Sequence, residues 1–422
     1  RKQAETRPMG AFSFMKDNAR FLLAGALLMF TSSYGQTYFI SIFAGEIMLS
    51  FSLTDGEWGG IYTLGTTSSA IVMFWAGALT DRFRVRTLAW TVLPCLAVAC
   101  VIMAWNIYAA GLVLCIFLLR LFGQGMTFQL AAVAMARWFV GRRGLALSLS
   151  ALGFAFGQAV LPVLFASLLE WTNWRNLWLL AAAMTMMAFP LLLWLLTQER
   201  TPQSLAESSE AFGMEGRHWT RPEVVKSPFF WMLMPMLLGP PAWGTSLFFQ
   251  QVHIAEVKGW DLVSYLSLIP IMTMVSVATT LISGQLVDRF GTARLIQIYL
   301  LPFMAGFVIL AFSATLTGAF FAFLFFGLAT GLQATIITAF WAEFFGTRHI
   351  GAIKATSTSV MVFGSAIGPG ISGALIDLGY DFPDQMIAIS VYFAFAMSLV
   401  WIAVSRAKLT LPVARKINVE RA

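Results

Sequence analysis

Gly77-Ala78-Leu79-Thr80-Asp81-Arg82-Phe83 is followed by Arg84, Val85 and Arg86. Gly284-Gln285-Leu286-Val287-Asp288-Arg289-Phe290 is followed by Gly291 and, shortly after, Arg294. Both stretches read GxxxDRF with basic residues behind, and they lie 207 positions apart in a chain of 422. A second pair, Phe139-Val140-Gly141-Arg142-Arg143 and Phe344-Phe345-Gly346-Thr347-Arg348, recurs at a spacing of 205. Two matches at nearly one spacing, each close to half the chain, imply a duplicated unit.

The composition around these motifs says what that unit is made of. Hydrophobic residues make up 59%, aromatics 14% and charged residues only 11%. A soluble domain carries about 25% charge. This excludes a disordered chain, argues against a soluble one and points to the bilayer as solvent. A helix needs about 20 apolar residues to cross roughly 30 Å of hydrocarbon. Charge-free runs at 21–45, 58–80, 144–169, 176–198, 227–253, 262–287, 355–376 and 385–405 each fit one span. The run at 87–119 holds one span, a turn near Asn106 and the start of another, and 295–342 holds two, turning near residues 313–318. The count is twelve, six per repeat. The first run is too long for a signal-peptide core and lacks a small-residue cleavage site, so no cleavable leader is expected. Cys95, Cys100 and Cys115 lie inside apolar runs without metal-ligand spacing.

Basic residues set the orientation. With both termini in the cytoplasm, 24 of the 27 Lys and Arg fall on that side. Arg175 and Lys258 fall outside, and Arg120 sits within span 4. This is the positive-inside pattern. It accounts for the net charge of +7 without nucleic acid as a partner. The expected organisation is a cytoplasmic tail at 1–19, a six-helix bundle at 20–198, a cytoplasmic linker at 199–226, a second six-helix bundle at 227–405 and a tail at 406–422. The linker is polar and mixed in charge.

In GxxxDRF the glycine permits close helix contact. The Asp can bond a neighbouring helix N-terminus and the flanking Arg residues. Such a cluster would latch the halves on the cytoplasmic side. The alternative is that it only fixes topology. These loops resemble the signature loop of the major facilitator superfamily, present in both halves. The resemblance covers nearly the whole chain. It implies an all-α integral membrane fold of 12 transmembrane helices in two pseudo-symmetric bundles, a midplane cavity and alternating access. Asp81, Arg82, Arg86, Asp288, Arg289 and Arg294 carry over as gating residues. Arg120-Leu121-Phe122-Gly123-Gln124-Gly125 is similar to the family's Arg-containing helix 4 motif, with its Gln-Gly pair displaced by one position. Arg137-Trp138-Phe139 with Arg142-Arg143-Gly144, and Trp174-Arg175 before span 6, resemble the monocarboxylate and oxalate–formate carriers. Those carriers place basic residues in helix 8 or within helix 11. Here span 8 has no charge and Lys354 lies at the start of span 11.

Polar residues inside spans usually face the bundle interior. Span 1 carries Tyr34, Gly35, Gln36, Thr37 and Tyr38, and span 7 carries Trp243, Gly244, Thr245, then Gln250, Gln251 and His253. Both read aromatic, glycine, polar, at equivalent places in the halves, and are expected to line the cavity. Gln124, Gln129, Gln158 and Gln333 extend the set. For each Gln an interhelical bond, worth about 0.6–2 kcal/mol, is the competing reading. Arg120 is the one intramembrane cation. It reads as an anion or proton-linked site, or as a structural Arg bonded to carbonyls. No carboxylate lies clearly mid-span, so His253 or Glu46 are the candidates for carrying a coupling proton.

Met232 and Met236 lie four apart in span 7, on one helix face. Thioethers favour Cu(I), and M-x-x-x-M resembles a motif of bacterial copper importers in the same superfamily, which have riboflavin-importing relatives. Packing is the competing reading. No GxxxxGK[ST] motif occurs, which argues against ATP-driven transport. No nucleophile–base pair or metal cluster suggests an enzyme, and no cofactor is expected. The expectation is a secondary transporter of a small polar organic solute, neutral or anionic, monomeric in the bacterial inner membrane. The alternatives are a copper importer and a non-transporting receptor.

Overall fold

Buried in lipid, a backbone must satisfy its own hydrogen bonds, and a sequence this apolar does so as helix. In the computed structural model, residues 15–76, 79, 83–138, 143–198, 212–346 and 348–411 are described, and all regular structure among them is helical. The chain divides into two compact units, Arg1–Glu207 and Ser208–Ala422.

Nine helices among the described residues are long and apolar enough to cross a membrane. They are Val85–Trp105, Gly111–Met135, Ala146–Leu169, Trp174–Leu195, Leu262–Val287, Thr292–Phe312, Leu316–Phe345, Thr356–Asp377 and Phe382–Thr410. They correspond to expected spans 3–6 and 8–12. A pair bent by 118°, Thr37–Phe51 with Asp55–Met73, brings the number to ten. Span 1 is a run of short helices from Ala19–Thr31 to Ala44–Phe51, span 2 is Asp55–Ala76 and span 7 is Pro228–Phe249. Twelve crossings are consistent with this helix inventory.

The duplication is visible in the packing. In the first unit span 1 packs on span 5, span 2 on span 4 and span 3 on span 6. In the second, 7 packs on 11, 8 on 10 and 9 on 12. Glycines four apart make close contacts in both units, as expected where lipid removes the hydrophobic drive and close approach must supply it. A Cβ on Gly153 of span 5 would lie 1.9 Å from the Ala26 carbonyl of span 1, and one on Gly157 2.2 Å from Ser33 Oγ. In the second unit a Cβ on Gly368 of span 11 would lie 2.2 Å from the Ala242 carbonyl of span 7, with Gly364 set against Leu238.

Arg175 and Lys258, the two cations outside the expected positive-inside pattern, are tied to helix ends. Arg175 donates Nη1 to the carbonyls of Ala104 (2.8 Å) and Asn106 (2.6 Å) at the end of span 3. Lys258 donates Nζ to the Ala311 carbonyl (2.7 Å) at the end of span 9. Each neutralises the negative end of a helix dipole. Desolvation lowers the Lys258 ammonium's pKa. Exposed Trp105, Tyr108 and Trp171 lie toward one end of the first unit, and exposed Trp90 and Trp194 toward the other. Exposed Trp and Tyr near span ends suit the water–lipid boundary.

The described part of the linker is docked, not loose. Trp219 donates its backbone N–H to the Phe345 carbonyl at 3.0 Å, and its ring lies 5.8 Å from that of Phe345. Gly213 fits because it lacks a side chain: a Cβ there would lie 2.5 Å from the Phe344 carbonyl. Glu223 closes the turn, accepting from the Thr220 hydroxyl and N–H (2.7 Å each) and from Arg217 (2.7 Å).

Candidate functional site

Span 1 does not run through as one helix. It passes from Ala19–Thr31 into a 3₁₀ turn, Ser32–Gly35, then through Gln36 in an extended conformation (φ −88°, ψ 152°) into Thr37–Ile40. No proline forces the break. Glycine and consecutive serines hold a helix weakly, since short hydroxyls compete for backbone groups. The Thr31, Ser32 and Ser41 hydroxyls each donate to a carbonyl three or four residues back, all at 2.7 Å. The whole stretch 31–44 is buried. Irregular backbone at membrane depth is tolerated only in such a setting, and broken helices mark the binding level of many transporters.

Span 4 is irregular at the facing level. Gly111–Leu119 is α-helical, Arg120–Thr127 is a π-helix, and Phe128–Trp138 returns to α. A π turn takes one extra residue and often lies at functional sites. Thr127 Oγ1 donates to the Phe122 carbonyl, five residues back, at 2.6 Å.

The two irregularities meet at glycines. A Cβ on Gly123 would lie 2.6 Å from Gly35 Cα, and a Cβ on Gly35 2.1 Å from the Leu119 carbonyl. This approach delivers Arg120 to the break. Arg120 is 1% exposed. Its Nη1 donates to the Gly35 carbonyl at 3.2 Å and to Thr37 Oγ1 at 3.3 Å. The guanidinium carbon lies 5.5 Å from the ring centroid of Tyr62 in span 2. Tyr62 Oη and Thr37 Oγ1 are 2.5 Å apart. Nε is buried with no hydrogen-bond partner. Among the described residues no carboxylate pairs with Arg120. A buried cation without a counter-charge costs several kcal/mol. Two acceptors and one aromatic face, the last worth about 2 kcal/mol when desolvated, offset part of that. A bound anion would complete the offset.

The other expected lining residues spread over both units. Gln36 is buried beside the break, and Gln124 lies in the π segment. The Tyr38 hydroxyl donates to Ser33 Oγ at 2.8 Å and the Tyr34 hydroxyl to Met184 Sδ at 3.6 Å. Gln129, Gln158 and Gln333 are half-buried on spans 4, 5 and 10. In the second unit Trp243 and Thr245 stay within the continuous helix Pro228–Phe249, which ends at Gln250. The break of span 1 is therefore not repeated at its sequence equivalent. Trp243 lines a cavity of about 270 Å³ with Leu375, Tyr380, Asp384, Gln385, Ala388 and Ile389. Gln250 donates to Ser372 Oγ at 3.1 Å, an interhelical bond to span 11, and Gln251 is buried. His253 Nε2 lies 3.2 Å from Asp381 Oδ1. Met236 is buried in the packing of the second unit and Met232 is half-buried. Among the described residues no group of three His, Cys, Asp or Glu is placed to hold a metal.

Of the gating set, Asp81 and Arg82 lie outside the described residues, as does the side chain of Asp288. Arg86 sits in the first turn of Val85–Trp105, Arg289 lies 5.3 Å over the Phe290 ring, and Arg294 is in Thr292–Ile296. Tyr62 escaped the sequence reading. Glu343 reads in the sequence only as a carboxylate at the end of span 10; its Oε2 accepts from Thr292 Oγ1 at 2.5 Å and from its N–H at 3.4 Å. This ties the loop after span 8 to span 10. At the repeat spacings the first half has Val85 and Trp138 there, both in one apolar cluster.

The profile of the Major Facilitator Superfamily matches residues 25–369. The chain belongs to the major facilitator superfamily. It is similar to an uncharacterized MFS-type transporter, YhjX of Escherichia coli (strain K12), at 23% identity over 341 residues, covering 79% of this chain and 82% of that one. Among solved structures, a bacterial homolog of the human lysosomal transporter Spinster, inward-facing and unoccupied, superposes with a TM-score of 0.67 at 17% identity, covering 94% of this chain and 99% of its own. The nucleoside transporter NupG gives 0.68 at 13%, covering 91% and 99%. These structures share the fold. The protein is a multi-pass membrane transporter of this superfamily.

Proposed function

We propose that the chain is a secondary transporter of a small organic anion, a carboxylate in the first instance, moving it across the bacterial inner membrane by alternating access with both termini cytoplasmic. The observation that carries this is Arg120. Its guanidinium is buried, its two bonds leave from Nη1, and the Nε–Nη2 edge has no partner among the described residues. That edge is the fork that receives a carboxylate through two parallel hydrogen bonds. The acid-poor surroundings favour an anion over a cation, and the buried amide of Gln36 adds hydrogen-bonding capacity beside it.

The test is uptake of radiolabelled formate, lactate, oxalate and riboflavin into liposomes holding the purified protein. Saturable uptake of a carboxylate, lost in Arg120→Gln and weakened in Arg120→Lys, is expected. Lysine keeps the charge but not the fork. Uptake of riboflavin alone, unchanged in Arg120→Gln, would rule the reading out.

A further inference from the structure

The Nη1 bonds of Arg120 end on two different kinds of acceptor. The Gly35 carbonyl is fixed by the backbone. The Thr37 hydroxyl is a rotor, and something must hold it. Thr31 and Ser41 turn their hydroxyls onto a carbonyl four residues back. Thr37 begins its helical segment, and the corresponding Ser33 carbonyl already accepts from Gln36 N–H at 2.9 Å. The Thr37 hydroxyl is instead set by Tyr62, whose Oη lies 2.5 Å away on a fully buried side chain. The same Tyr62 ring faces the guanidinium at 5.5 Å.

We infer that Tyr62, acting through Thr37, is the positioning residue that fixes the plane of the Arg120 guanidinium so that its open edge meets a carboxylate in bidentate register. This rests on the reading of Arg120 as the anion-binding group. Tyr62 touches Arg120 and Thr37 and need not touch the solute. Span 2 also carries the first GxxxDRF motif at its cytoplasmic end, so the helix that orients the arginine is the one that carries the gating loop.

The test uses the full chain in liposomes, with whichever of formate, lactate and oxalate shows saturable uptake, and four variants: Tyr62→Phe, Arg120→Lys, their double, and Arg120→Gln. Phenylalanine keeps the ring and removes only the hydroxyl. The expected result is a KM raised roughly fivefold or more, the worth of one neutral hydrogen bond, with the maximal rate within about twofold. A lysine has no plane to orient, so Tyr62→Phe should change nothing further in the Arg120→Lys background. Thr37→Val should reproduce the KM effect, and it stands in should Tyr62→Phe fail to give a monodisperse protein. An unchanged KM in Tyr62→Phe, with Arg120→Gln inactive, overturns the inference and leaves the anion site standing. An equal loss in both arginine and lysine backgrounds overturns it too, since that is a packing effect. Wild-type uptake by Arg120→Gln removes the anion reading itself, and this inference with it.

Discussion

Gly35 and Gly123 touch backbone to backbone, and neither position has room for a Cβ: one on Gly123 would lie 2.6 Å from Gly35 Cα. The interrupted part of span 1 and the π segment of span 4 are held together at this point. Alanine at either position must push the two spans apart and withdraw Arg120 from the Gly35 carbonyl. Overpacking of this kind costs about 1–3 kcal/mol. A lower melting temperature and a loss of anion uptake are expected for both variants. Gly60→Ala in span 2 is the control, because a Cβ there meets nothing within 4 Å. It should be neutral or stabilise by up to about 1 kcal/mol.

Glu343 and Thr292 make a polar tie in the second half where the first half has an apolar Val85 and Trp138. Glu343→Ala leaves the Thr292 N–H and hydroxyl, at the start of Thr292–Ile296, without their acceptor. Hydrogen exchange across residues 291–296 should accelerate, at a cost of about 1–2 kcal/mol. Exchange at residues 85–90 should stay as in the wild type. Equal acceleration in both halves would show that the tie does not act locally.

Arg175→Gln removes a cation from the carbonyls of Ala104 and Asn106. Charged hydrogen bonds of this kind are worth about 1.5–3 kcal/mol. Thermal denaturation should report a drop of this order. Arg175→Lys, which restores one donor, should recover part of it.

The Glu223 carboxyl is held at about 2, first by the Thr220 hydroxyl and amide and then by Arg217. A free glutamate titrates near 4.3. A lowered value means that the docked turn is favoured wherever the free chain's carboxyl is ionised. The contribution is therefore complete above about pH 4.5, fades as the pH falls towards 2, and is absent below that. A carboxyl NMR titration of Glu223 checks the midpoint. At neutral pH, Glu223→Gln should expose the bond after Arg217 to trypsin several-fold faster.

The helical architecture was legible from composition, because the bilayer allows an apolar chain little else. The repeat was legible from two loops. Gln124-Gly125 stands one position off the helix 4 motif and falls in the π segment, but a displaced motif alone does not say whether a helix bulges or a sequence has drifted. The break at Gln36 left no such mark. Ser32, Ser33 and Gly35 weaken a helix without marking where it ends, and only the fold shows the Gly35 carbonyl accepting from Arg120 of span 4. Tyr62 stayed invisible for a related reason. A mid-span tyrosine in an aromatic-rich chain looks like packing until the hydroxyl beside it is known. Glu343 showed as a carboxylate at a span end, and only its contact with Thr292 gives it a task.

Spans 1, 2 and 3 find spans 5, 4 and 6, and spans 7, 8 and 9 find 11, 10 and 12. Each of these pairings closes between segments of one repeat. A nascent chain can thus complete the first set in the bilayer while the second is still on the ribosome. Two fragments divided in the linker, made in the same cell, have the contacts each requires to insert and mature separately.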